Sequence, residues 1–273
     1  MILWVMRVLL RRVLSAAIGI PVLLYLTYRG GIFLLLAIFI LMLLALAEFR
    51  NLSKKSNCKT LAIPLWFSAL LFPVIYLVHY QFIINLLFFY LVFCYGFFLL
   101  NYPEYTPLDL AYTLFGAIYI SWGFFHIVLL RQLTDGFWLI LYVFLVVWST
   151  DTGAYGIGTL FGRHKFAPVV SPKKSWEGVA GGLLVSMLVA YLYTLIVPAF
   201  SDQEMRALLW IAPLVSLVGQ LGDLLESSLK RFAEVKDSGQ IIPGHGGILD
   251  RFDSLLLAVP FTYYLINMIE RLL

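Results

Sequence analysis

Residues 32–47 read Ile-Phe-Leu-Leu-Leu-Ala-Ile-Phe-Ile-Leu-Met-Leu-Leu-Ala-Leu-Ala, an apolar run without one charge or hydrogen-bonding side chain. A helix that is apolar on every face is buried, either in a large core or in a bilayer. This run does not stand alone. At about 20 apolar residues per bilayer crossing, nine stretches qualify: 13–28, 32–47, 61–79, 82–100, 111–130, 137–158, 178–198, 207–229 and 253–272. The whole chain agrees, with 273 residues, 62% hydrophobic and only 12% charged, and a mean hydropathy of +0.93. Soluble domains carry roughly 25% charge, so this chain cannot cover a water-facing surface. The expected fold is an all-α polytopic integral membrane protein with about nine transmembrane helices.

The same composition excludes disorder, collagen, coiled coil and a disulfide scaffold. Cys58 and Cys94 sit in a polar loop and an apolar run respectively, which is no disulfide framework. The first two stretches are short and share Arg29-Gly30-Gly31, which reads as a hairpin turn. Arg7, Arg11 and Arg12 before the first stretch resemble a signal sequence, but eight further stretches make a retained anchor the better reading.

Lysine and arginine asymmetry sets orientation. With a cytoplasmic N-terminus, one side receives Arg7, Arg11, Arg12, Arg50, Lys54, Lys55, Lys59, Arg163, Lys165, Lys173, Lys174, Lys230, Arg231, Lys236 and Arg251. The other receives only Arg29, Arg131, Arg206 and Arg271, so the 19 basic residues split 15 to 4. The net charge of +4 is therefore mostly a topology signal, with a secondary use in holding anionic lipid. No basic stripe interleaved with exposed aromatics points to nucleic acid.

Acidic residues are placed unevenly: six of the 15 fall between Asp223 and Asp253. Two polar segments, 159–177 and 230–251, are longer than turns and face the cytoplasm in this arrangement. The chain thus reads as an N-terminal transmembrane platform, 1–135, and a C-terminal catalytic region, 136–273, that carries both loops.

Three constellations carry the chemistry. In Gly219-Gln220-Leu221-Gly222-Asp223-Leu224-Leu225-Glu226-Ser227-Ser228-Leu229-Lys230-Arg231, helical spacing puts Asp223, Glu226, Ser227 and Lys230 on one face. Carboxylates inside a span are costly and mark function, although a Glu226–Lys230 pair could equally fix packing. The second, residues 235–253, holds Lys236, Asp237, Gly244, His245, Gly246, Gly247, Asp250, Arg251 and Asp253. A glycine-rich loop entering a helix presents backbone N–H groups to phosphate. Asp250 and Asp253 sit where capping alone would also place carboxylates. Glycines, cations and paired aspartates together suit a Mg²⁺–triphosphate site. The third, Val170-Ser171-Pro172-Lys173-Lys174-Ser175-Trp176-Glu177-Gly178, offers a cationic flap or, more plainly, topology lysines and a helix cap at Ser175. Upstream, Asp151 is a lone carboxylate in an apolar stretch. Gly158 to Gly162 and Gly178 to Gly182 fit close helix packing. His79 and His126 read as packed or interfacial, and His164 as a solvated loop residue.

Ser228-Leu229-Lys230-Arg231, Lys236-Asp237-Ser238-Gly239, Pro243-Gly244-His245-Gly246-Gly247 and Asp250-Arg251-Phe252-Asp253 together resemble the signature of the phosphatidate cytidylyltransferases, or CDP-diacylglycerol synthases. Residues 171–178 and 151–155 resemble further family segments, so motif similarity runs from about Ser149 to Asp253.

The resemblance implies transfer of a cytidylyl group from CTP to phosphatidic acid, giving CDP-diacylglycerol and pyrophosphate. It also implies Mg²⁺, with room for a second cation, and a homodimer in a bacterial inner membrane with the active site on the cytoplasmic side. On that reading Asp223, Lys230, Asp250, Arg251 and Asp253 are catalytic, and Asp223, Asp250 and Asp253 hold the metal. Ser171, Lys173, Lys174, Lys236, Asp237, Gly244, His245, Gly246 and Gly247 bind substrate. Two rivals remain: an ion-coupled membrane transporter using Asp151, Asp223 and Glu226, and a CDP-alcohol phosphotransferase, whose longer aspartate motif is absent from the sequence.

Overall fold

The structure, a computed structural model, describes residues 2–78, 83–242, 244 and 246–272. His79, Pro243 and His245 lie outside the described residues, as do the side chains of Arg7, Arg11, Arg12 and Arg271. Among the described residues the fold is helical, with no strand beyond isolated bridges. The helices are α1 (Ile2–Arg29), α2 (Gly31–Lys55), α3 (Ala62–Val78), α4 (Ile83–Leu100), α5 (Pro107–Gly116), α6 (Gly123–Gln132), α7 (Gly136–Phe161), α8 (Trp176–Ile196), α9 (Asp202–Phe232), α10 (Leu249–Phe252) and α11 (Leu255–Leu272). A π-helical stretch, Ala117–Trp122, joins α5 to α6.

Among the described residues, each of the nine apolar stretches lies mainly on helix. Among the same residues, five helical segments are long and apolar enough to cross a membrane: Gly31–Lys55, Pro107–Gln132, Gly136–Phe161, Trp176–Ile196 and Asp202–Phe232. Shorter apolar helices cover Ala17–Arg29, Ala62–Val74, Ile84–Leu100 and Leu255–Ile269.

The chain forms two compact units. The first comprises Met1–Val128 with Leu229–Arg251. Its hairpin between α1 and α2 turns at Gly30 and Gly31, with φ of 62° and 56°. That left-handed backbone is open to glycine at little steric cost. Helix α5 starts on a capping box, in which Thr106 accepts from Asp109 N and Asp109 Oδ2 accepts from Thr106 N, with Pro107 in the first turn. Asp109 Oδ1 also accepts from Lys59 N (2.6 Å) and Thr113 from Leu61 N (2.9 Å), tying the 59–61 segment to α5.

The second unit comprises Leu129–Ser228 with Phe252–Leu273. Its main contact is α7 against α8, and small residues permit it. A Cβ on Gly182 would meet Thr150 O at 3.0 Å, and one on Gly178 would meet Ala154 O at 3.0 Å. The Gly178–Gly182 spacing thus serves close backbone approach, as expected. Buried polar contacts complete the unit: Thr150 donates to Ser216 Oγ (2.8 Å) and Tyr142 to Leu208 O (2.5 Å). Tyr142→Phe should lower stability by about 1 kcal/mol, the net worth of one such bond, read as a lower thermal midpoint in detergent.

Candidate active site

In the first unit, the 229–251 segment is organised around Asp250. Lys230, near the end of α9, places its Nζ 2.7 Å from Asp250 Oδ1, and the two side chains are only 13% and 6% exposed. Oδ2 accepts from Ser238 N (2.9 Å), Ser238 Oγ (2.9 Å) and Gly247 N (2.8 Å). Burial works against the charge on Asp250, but the Lys230 ammonium and the two backbone donors outweigh it and hold the carboxyl below its usual range. Gly244 and Gly246 have φ of 79° and 85°. A side chain on Gly246 would also press on Asp250 Oδ2.

The loop was expected to offer its N–H groups to phosphate. In the structure the Gly247 N–H is directed to Asp250 instead. Lys236, Asp237 and Arg251 are exposed on the same segment.

One participant was not anticipated. Glu48 of α2 is 3% exposed and reaches the loop, accepting from Ile248 N, Leu249 N and Ser238 Oγ. The N-terminal stretches had been assigned no site residue. The signal was present, because Glu48 is the sole acidic residue before Glu104 and directly follows the apolar run 32–47.

In the second unit, Asp151, Tyr155, Lys173, Lys174, Gln220 and Asp223 line an open cleft of about 220 Å³. Lys174 Nζ lies 2.8 Å from Asp223 Oδ2, which remains 34% exposed. Ser227 donates to Asp223 Oδ1 (3.3 Å), as the i, i+4 spacing required. Lys173 is exposed, and its carbonyl accepts from Lys165 Nζ at 3.1 Å. Ser171 sits in the turn before it, where Lys174 N donates to Ser171 O (3.1 Å).

Ser175 caps α8, accepting from Gly178 N (3.2 Å). Glu177 does not complete that cap. It holds residues 163–164 instead, accepting from Arg163 N and His164 N and pairing with His164 Nδ1 at 2.6 Å. Glu226 is fully buried in α9, and Asp253 Oδ1 accepts from Ser254 N at 2.7 Å.

Both lysine–aspartate pairs combine a hard anionic oxygen with a cation, the elements needed to bind a metal–polyphosphate and balance its charge. Comparison with known proteins points the same way. The model of the cytidylyltransferase family matches residues 10–269. The phosphatidate cytidylyltransferase of Staphylococcus epidermidis is 39% identical over 269 residues, covering 93% of this chain and 98% of the relative. That of Staphylococcus saprophyticus is 40% identical over 263 residues with the same coverage. That of Staphylococcus aureus is 39% identical over 269 residues, again with the same coverage. A match running from residue 10 to residue 269 places this chain in the cytidylyltransferase family.

Proposed function

We propose that this protein is a phosphatidate cytidylyltransferase, converting CTP and phosphatidic acid to CDP-diacylglycerol and pyrophosphate. The observation that carries the reading is the cleft in which Asp151, Lys173 and the Lys174–Asp223 pair meet, in a chain that aligns with named phosphatidate cytidylyltransferases along nearly its whole length. A phosphatidate oxygen forms the new bond to the α-phosphorus of CTP. The bond from that phosphorus to the β-bridging oxygen breaks, and its electron pair leaves with pyrophosphate. Nucleophile and leaving group are both phosphates, so no protein nucleophile is required, and alignment and charge neutralisation do the work.

Lys173 and Lys174 in the cleft, and Lys230 and Arg251 by the glycine loop, supply the neutralising cations. Ser171, Lys236, Asp237, Gly244, His245 and Gly246 complete the proposed substrate contacts, while Gly247, whose N–H goes to Asp250, shapes the loop. Asp223, Asp250 and Asp253 are the proposed Mg²⁺ ligands, with a second cation accommodated beside them. Their chemistry fits, since all offer hard oxygens and Asp223 opens on the cleft. Asp250 offers Oδ1, because Oδ2 already takes three donors. Among the described residues, neither unit by itself groups three His, Cys, Asp or Glu side chains, so this assignment stands on donor chemistry. Bound there, the metal would neutralise triphosphate charge.

The reading extends to nine membrane crossings with a cytoplasmic N-terminus, a bacterial inner-membrane location, a cytoplasm-facing active site and a homodimer. Residues 1–135 serve as the platform and 136–273 as the catalytic region. The lysine and arginine asymmetry supports the orientation. The ion-coupled transporter finds no support in the family match.

The test is an assay of the purified protein in detergent with labelled CTP, phosphatidic acid and Mg²⁺. Labelled CDP-diacylglycerol is the expected product. Its absence across a series of divalent metals would overturn the assignment.

A further inference from the structure

Glu48 lies far along α2, among residues such as Ala45, Leu46 and Phe49 that are themselves fully buried. A carboxylate in such surroundings must be matched by donors, and among the described residues its three donors all come from the glycine-rich segment. Oε1 accepts from Ile248 N at 2.9 Å. Oε2 accepts from Leu249 N at 2.9 Å and from Ser238 Oγ at 3.2 Å. Ile248 and Leu249 immediately precede Asp250, at the start of α10, where backbone N–H groups have no partner within the helix.

Two glycines of the segment are also explained by this carboxylate. A Cβ at Gly239 would press on Glu48 Oε1, and one at Gly247 on both Glu48 oxygens and Ser238 Oγ. Neither glycine is needed for positive φ. They are small because Glu48 occupies the space beside them. Ser238 then links the two acids by sharing its single hydroxyl proton, with Oγ 2.9 Å from Asp250 Oδ2 and 3.2 Å from Glu48 Oε2. One end of the segment, 238–239, and the other, 247–249, are thereby gripped by a single side chain from α2.

We propose that Glu48 is a positioning residue for the CTP site, holding 238–239 and 247–249 in register so that Asp250 and its Lys230 partner keep their geometry. The proposal rests on the reading that this loop serves CTP. It gives the N-terminal helices a part in the chemistry beyond anchoring. Glutamine cannot substitute, because its NH₂ would face a backbone N–H in either amide orientation.

The experiment compares full-length wild type, Glu48→Gln and Gly239→Ala in detergent by hydrogen–deuterium exchange and by steady-state kinetics. In both variants, peptides covering 238–250 should exchange at least about tenfold faster, while peptides from α7 and α8 stay at wild-type rates. KM for CTP should rise at least about tenfold, with KM for phosphatidic acid within twofold, a split that mere loss of folded protein would not produce. Should Glu48→Gln fail to fold, Gly239→Ala decides, because it displaces the carboxylate while leaving α2 unaltered. Wild-type exchange in 238–250 together with a wild-type KM for CTP would overturn the proposal. Faster loop exchange in a protein that forms no CDP-diacylglycerol would uphold the grip of Glu48 and overturn the substrate reading instead.

Discussion

Asp250→Asn should reduce CDP-diacylglycerol formation at least about 100-fold, the scale expected when a fixed electrostatic contact of an active site is lost. The amide has two possible orientations and both fail. With its NH₂ at the Oδ2 position it meets the N–H groups of Ser238 and Gly247, donor against donor. With its NH₂ at the Oδ1 position it meets the Lys230 ammonium. In either case Lys230, 13% exposed, loses the Asp250 carboxylate 2.7 Å from its Nζ, and removing one partner of a buried ion pair is costly. Turnover of labelled CTP by the purified variant is the measurement. Activity within tenfold of wild type would remove Asp250 from the catalytic set. Because the folded Asp250 carboxyl titrates below its unfolded value, its contribution to stability is present at neutral pH. That contribution is lost only as the pH falls through the depressed value.

The second large effect is expected at the α7–α8 contact. Gly153→Val should destabilise the protein by about 1–3 kcal/mol, the usual cost of overpacking a close-packed site. A Cβ there would lie 2.8 Å from Gly181 O and 2.8 Å from Val185 Cβ, and valine adds two methyl groups. The backbone carbonyl cannot rotate away, so the helices must separate. Asp151 and Ala154 border Gly153 on α7 and line the cleft, so separation should raise KM for CTP as well. Gly156→Ala on the same helix is the control. Its Cβ would meet nothing within 4 Å, and replacing a helical glycine by alanine should add up to about 1 kcal/mol. Thermal midpoints in detergent should therefore move in opposite directions for the two variants. Equal shifts would show that the glycines do not act through packing.

Local signals in the sequence were the readable ones. The apolar stretches mark helices because backbone polar groups among apolar side chains must hydrogen-bond to one another. The Arg29-Gly30-Gly31 turn, the Ser175 cap and the Gly178–Gly182 contact are all short-range features, legible from neighbours in the chain. Helix ends were less visible. Helix α9 runs from Asp202 to Phe232 and α2 on to Lys55, well past their apolar cores, because helical hydrogen bonding does not stop where hydrophobicity does.

In the site, the important aspartates stood out against an apolar background, but their partners did not. Nothing near Asp223 announces Lys174, and nothing near Asp250 announces Ser238. Glu177 shows the limit clearly. It lies in the first turn of α8 beside the Ser175 cap, and nothing there announces that its carboxylate turns to the backbone of Arg163 and His164.

The grip of Glu48 on Ile248 also bears on when the protein becomes competent, for the two residues lie 200 positions apart. Ribosomes deliver a chain N-terminus first, so that interval takes about 10–40 s. Throughout it α2 already exists, but the donors that its carboxylate requires have not been made. The loop therefore closes only after Ile248 and Leu249 have been made. A chain terminated before Ile248 lacks these donors, so assembly of the loop waits on its own second half.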